Sequence, residues 1–227
     1  MKIPYPSIEE QEKILLAISK ALKKKAMAYA IGGTAMMFYG LKETTKDIDL
    51  VFESEEERDI FKEAAIAAGF ESMDAITVYK NKKNRPEMVR TGDVRIDLFV
   101  NDIILFRFSS AMKQRAKKAY QFGDRLLLKA ADMHDIILLK CATDRAKDIE
   151  DAFNIIKNMK VDWNIIIEGA ENQVKLGKDI ALLDLGDFLE RINKKESNLV
   201  PARVLDRIYA LLLKQIKAKK KANKPKK

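Results

Sequence analysis

The chain has 227 residues, 47% hydrophobic and 34% charged, with few glycines and prolines. That suits one large or two small globular domains with a real core and excludes long disordered stretches before the C-terminus. The formal charge is +9, but eight lysines and no acid lie between Lys214 and Lys227, so the rest of the chain is nearly neutral. One cysteine, Cys141, and one histidine, His134, exclude an intrachain disulfide and a zinc site built from Cys and His. The N-terminal segment does not read as a signal peptide, and the uncharged stretch that includes Met27 to Leu41 is too short to span a bilayer. A soluble cytoplasmic protein with no membrane partner is expected.

In chain order, Ser7 and Glu10 form a capping-box pattern that opens an amphipathic helix running to about Lys25. Met27 to Ile31 reads as a strand broken by Gly32-Gly33, with a helix over Thr34 to Tyr39. Lys46 to Phe52 alternates as a strand, and Ser54 with Glu57 opens a helix that Gly69 ends. Strands are expected at Ile76 to Lys80, Glu87 to Arg90, Val94 to Val100 and Ile103 to Phe108, with a polar turn over Asn81 to Pro86 and a tight turn at Thr91-Gly92-Asp93. Ala119 to Phe122 and Arg125 to Leu128 flank a hairpin turn at Gly123-Asp124. From Asp132 the period becomes helical, with helices near 132–143, 146–158, 162–175, 179–193 and 200–218. The fold class is therefore α+β, an α/β core followed by an all-α half. The expected domains are 1–130, 131–215 and a basic flexible tail at 216–227.

The chemistry gathers in two strands and a glycine pair. Strand period puts Asp47 and Asp49 on one side, with Ile48 and Leu50 on the other. Two carboxylates about 7 Å apart on one face repel unless something positive lies between them. A hard divalent cation with oxygen ligands suits that place. Val94, Ile96, Leu98 and Val100 form an apolar face opposite Asp97. If that strand pairs beside Asp47 and Asp49, three carboxylates converge, enough to hold two metal ions for an in-line displacement. Asp97 could also take the proton of an attacking hydroxyl. Gly32-Gly33-Thr34 offers close backbone approach, helix N-terminal N–H groups and a hydroxyl for a phosphate.

Residues 28–52 and 94–100 resemble the DNA polymerase β-type nucleotidyltransferase superfamily, through Gly-Gly-Thr, Asp-x-Asp and a third Asp. The chain is most similar to the abortive-infection, toxin-type and uncharacterised nucleotidyltransferases. In these a Thr-x pair, here Thr45-Lys46, precedes the carboxylate strand, and a later helix carries Lys, here Lys140, and then Lys-Asp, here Lys147-Asp148. The resemblance covers roughly residues 25–158. It implies a polymerase β-like mixed sheet with flanking helices and Mg²⁺ on Asp47, Asp49 and Asp97, as two ions. It also implies NTP as substrate, triphosphate contacts from Gly32, Gly33 and Thr34, a phosphate contact from Lys140, and support from Thr45 and Asp148. One departure is Glu43, where relatives often carry a basic residue; Lys42 is beside it.

Other readings stand beside these. Lys140, Asp144 and Asp148 have the spacing of ordinary helix ion pairs. His134 reads as a helix-surface or helix-start residue, Cys141 as a small core residue and Trp163 as a core or interhelical anchor. The lysine tail is either a solvated end or an arm for nucleic-acid phosphates, without aromatics to read bases. The implied activity is transfer of NMP from an NTP to an RNA or tRNA end, a protein hydroxyl or a small molecule. The alternative is a retired nucleotide-binding or toxin–antitoxin partner module of the same fold.

Overall fold

The computed structural model describes residues 5–80, 82–143 and 145–222. The chain forms two compact units, Met1–Ile136 and Ile137–Lys227. The first opens with α1 (Ile8–Ala21), where the Ser7 hydroxyl accepts the Glu10 N–H at 3.3 Å and Glu10 accepts the Ser7 N–H at 2.8 Å. Both orphan donors of the helix start are thus met by the expected capping box. Then come β1 (Ala26–Ala30), α2 (Gly32–Phe38), β2 (Asp47–Phe52) and α3 (Glu55–Ala67). Ser54 caps α3, and Gly69, at φ +95°, turns the chain after it.

The rest of this unit comprises β3 (Glu71–Met73), α4 (Ile76–Tyr79), β4 (Glu87–Thr91), β5 (Val94–Val100), β6 (Asp102–Ile103), β7 (Phe106–Arg107), α5 (Ser110–Arg115), β8 (Lys118–Phe122) and β9 (Leu126–Ala130). The sheet runs β3-β4-β5-β2-β1-β9-β8, with β6 and β7 as an offshoot of β5. The pairs β2–β5 and β1–β9 are parallel and the others antiparallel, which makes the sheet mixed.

Three local expectations need correction. Ile76 to Tyr79 is one turn of helix and not a strand. Its β-branched residues suggest extension, but Asp74 accepts the Ile76 N–H at 2.8 Å and its carbonyl takes the Thr77 hydroxyl at 2.7 Å, which closes a turn. Ile103 to Phe108 is not a single strand, because Ile104 adopts φ +53° and folds β6 back on β7. The helix α5 was not foreseen; Ser109 caps it by accepting the Met112 N–H at 3.4 Å.

Strand parity sorts the side chains of the sheet. Ile48, Leu50, Phe52, Ile96 and Leu98 are at most 1% exposed and face the layer containing α1 and α3, where the Phe52 and Phe61 rings meet at 5.3 Å. Each such burial contributes about 1.5–3 kcal/mol. A one-residue slip of β2 or β5 would drive carboxylates into this layer, so the core fixes the register and thereby the opposite face. That face carries Asp47, Asp49, Arg95 and Asp97.

The second unit is helical. It takes in the end of α6 (Met133–Lys140), then α7 (Ala146–Asn158), α8 (Trp163–Lys175), α9 (Ala181–Lys195) and α10 (Ala202–Ala222). Helix α9 packs on α7, α8 and α10 through Leu182, Leu185, Phe188, Leu189 and Ile192. Cys141 is buried, and burial pushes its thiol pKa up, while Trp163 is half-buried at the start of α8. Helix α10 takes in the first tail lysines, one of which, Lys219, lies 2.8 Å from Asp179. Asn81, Asp144 and the lysines after Ala222 lie outside the described residues. Among the described residues no helix is long and apolar enough to cross a membrane.

Candidate active site

The parallel pairing of β2 and β5 sets Asp49 opposite Asp97 and Asp47 opposite Arg95, on strands about 4.8 Å apart. The lateral pairing inferred from alternation is therefore present. It also brings in a residue that was not foreseen. Arg95 donates through Nε to Asp97 Oδ1 at 2.8 Å and through Nη2 to Asp97 Oδ2 at 3.1 Å, and the same Nη2 lies 2.6 Å from Asp47 Oδ2. A planar guanidinium can hold one carboxylate with two bonds and reach a second. Tyr79 completes the arrangement, donating its hydroxyl to Asp97 Oδ2 at 2.5 Å while its ring meets Phe99 edge-on at 6.2 Å.

Asp97 has no exposed surface, and burial pushes its pKa up; the pull of Arg95 and the Tyr79 hydrogen bond only partly oppose this. For Arg95, burial alone would lower the pKa, but attraction to Asp97 and then Asp47 outweighs it and the net direction is upward. Burial, followed by the charges of Asp49 and Asp97, raises the Tyr79 phenol well above its ordinary range, so it remains a donor. The same parity that put Asp97 opposite the apolar face puts Arg95 beside it, a signal available in the sequence. Tyr79 gave none, because its segment resembles a strand.

Gly32, Gly33 and Thr34 wrap the start of β2. Gly32 has φ +55°, and a Cβ there would lie 3.0 Å from Asp49 Oδ2. A Cβ on Gly33 would lie 2.4 Å from the hydroxyl oxygen of Thr45, itself buried. Both glycines are thus required by close approach to neighbouring side chains. Thr34 is fully buried; its hydroxyl accepts the Asp49 N–H at 3.0 Å and donates to the Asp47 carbonyl at 3.4 Å. These bonds tie α2 to the strand that carries the two carboxylates.

His134, the second residue of α6, lies 2.6 Å through Nδ1 from Asp132. In the helical unit Lys140 is buried, with Nζ 3.0 Å from Asp148 and 2.6 Å from Asp151. Asp148 also accepts from Arg145 Nε at 2.6 Å and from the Thr143 hydroxyl. Burial alone would raise the Asp148 pKa, but Lys140, Arg145 and Thr143 hold it down at about 2.

The oxygen donors of the acidic face suit a hard cation such as Mg²⁺, which takes one or two carboxylates and completes its shell with water and substrate phosphates. A side chain at Gly32 would press on Asp49 Oδ2, its Cβ lying 3.0 Å away, and a glycine at this place is consistent with this. Among the described residues no group of three His, Cys, Asp or Glu side chains is placed to hold an ion as it stands. The Arg95 guanidinium already engages two of the three aspartates.

No curated protein matches the chain. Among solved structures it is similar to JHP933 from Helicobacter pylori, at 16% identity over 96% of this chain and 98% of that one, with a TM-score of 0.42. It is also similar to ANT(2")-Ia in complex with adenylyl-2"-tobramycin, at 16% identity over 81% and 97%, with a TM-score of 0.45. Residues 11–203 match the family described as nucleotidyl transferase of unknown function (DUF2204). With most of its length inside that match, the chain belongs to this nucleotidyl transferase family.

Proposed function

We propose that the protein transfers a nucleoside monophosphate from an NTP to an acceptor at the face bearing Asp47, Asp49 and Asp97, releasing pyrophosphate. The observation that carries this is the parallel register of β2 and β5, which sets Asp49 opposite Asp97 while Gly32, lacking a side chain, lets the backbone come close to Asp49 Oδ2. The acceptor oxygen bonds to the α-phosphorus as the bond to the oxygen bridging α- and β-phosphorus breaks, and that electron pair leaves with pyrophosphate. The acceptor proton passes to a carboxylate of this face, for which Asp97 is the candidate. Such transfer needs mainly positioning and charge stabilisation.

Asp47 and Asp49 would hold Mg²⁺, with Asp97 joining them when its arginine partner releases it. The ion supplies neutralisation of phosphate charge. The backbone at Gly32 and Gly33 is the proposed triphosphate contact, and Thr34 and Thr45 position it. Lys140 and Asp148 are given a packing role, because the Lys140 ammonium is already satisfied by two buried carboxylates. The acceptor is an RNA or tRNA end, a protein hydroxyl or a small molecule. The test is equilibrium binding of each NTP with and without Mg²⁺. Metal-dependent binding that is lost in Asp47→Ala is expected, and metal-independent binding that survives in that variant would refute the proposal.

A further inference from the structure

We propose that Arg95 is the resident counter-ion of the acidic face and couples metal entry to nucleotide binding; this rests on the function proposed above. Its guanidinium occupies both oxygens of Asp97, at 2.8 and 3.1 Å, and reaches Asp47 at 2.6 Å. Asp97 is fully buried, and the Tyr79 hydroxyl takes a further position on Oδ2 at 2.5 Å. A metal ion must approach carboxylate oxygens to about 2.0–2.1 Å along the same lone pairs. Guanidinium and cation are both positive and compete for one set of oxygens, so the ion gains Asp97, or bridges Asp47 and Asp97, only when Arg95 lets go.

Arg95 does not leave without another anion. Its side chain is 15% exposed, and a largely buried charge without a partner is strongly disfavoured. A triphosphate supplies that anion, since the planar fork that fits a carboxylate bidentately also fits phosphate oxygens. The nucleotide therefore draws the guanidinium off the aspartates at the moment it brings phosphate ligands for the ion. Metal alone meets a face on which Arg95 already holds Asp97 and reaches Asp47. Metal with nucleotide meets freed carboxylates, and Arg95 becomes a positioning residue that sets this order of loading.

The test uses the full chain and Mn²⁺ as the probe, with paramagnetic resonance reading bound and free ion, with and without an α,β-methylene NTP analogue. Wild type should bind Mn²⁺ alone weakly and at least tenfold more tightly with the analogue. Arg95→Gln should bind Mn²⁺ alone at least tenfold more tightly than wild type and lose most of the gain from the analogue. Arg95→Lys, which keeps the charge but not the fork, should fall between them and serves if the glutamine variant folds poorly. If both variants bind Mn²⁺ alone as wild type does, while Asp49→Asn abolishes the analogue-dependent site, the counter-ion role is overturned and the proposed function stands. If wild type binds no Mn²⁺ even with nucleotide, both fall.

Discussion

A Cβ atom on Gly33 would sit 2.4 Å from the hydroxyl oxygen of Thr45, closer than any packed pair tolerates. The chain around β2 is thus built on a glycine whose missing side chain is filled by a buried threonine. Gly33→Ala should destabilise the fold by about 1–3 kcal/mol, the usual cost of overpacking. Thr45→Ala in the same chain should recover part of that loss by removing the nearer atom. A double-mutant cycle in urea checks this, and additive losses would show that the two residues are not in contact.

Thr34 is fully buried, and its hydroxyl satisfies the Asp49 N–H. Thr34→Val leaves that donor unpaired and should cost about 1–3 kcal/mol, whereas Thr34→Ser should cost much less. Nucleotide affinity of the serine variant should stay within about threefold of wild type, since RT ln 3 is below the strength of one lost hydrogen bond. A larger change in affinity with unchanged stability would place the threonine against the nucleotide.

Tyr79→Phe removes a hydrogen bond to the Asp97 carboxylate and keeps the edge contact with Phe99. The expected loss is about 1.5–3 kcal/mol, because the acceptor is charged and buried. Thermal unfolding of the variant measures it; unchanged stability would contradict a closed phenol–carboxylate contact.

Asp148 sets a pH dependence in the helical unit. Its folded pKa, about 2, lies below the ordinary 3.8 because the cations of Lys140 and Arg145 and the Thr143 hydroxyl outweigh burial. A lowered carboxylate pKa stabilises the fold above the unfolded value and loses that contribution as pH falls through about 4 to about 2. Asp148→Asn should therefore cost about 2 kcal/mol at pH 7 and little at pH 2. Urea melts at both pH values test this, and an equal loss at both would point to packing alone.

How much of this was legible depended on the kind of signal. The capping box at Ser7 and Glu10, the strand of Asp47 to Phe52 and the hairpin around Gly92 were all readable, because a cap, a period of two and a glycine at φ +54° leave local marks. The meeting of Asp49 with Asp97 is non-local, yet two apolar faces that need one core made it inferable. The fold of β6 on β7 was not readable, since it rests on Ile104 in a left-handed conformation that its residue type disfavours. Tyr79 was hidden in a segment whose β-branched residues favour extension while Asp74 closes a turn. In the site, the aspartates carry a recognisable motif, whereas Arg95, which is bonded to two of them, is marked only by its place on the same strand face.

The most direct measurement of the central claim is transfer of label from NTPs carrying ³²P at the α- or the γ-position, incubated with Mg²⁺, the protein, and cellular RNA or protein as acceptor. The expected result is label on the acceptor from the α-position alone, with none in Asp49→Asn. Transfer from the γ-position, or undiminished α-transfer in that variant, would contradict nucleotidyl transfer at the face that Asp47, Asp49 and Asp97 share.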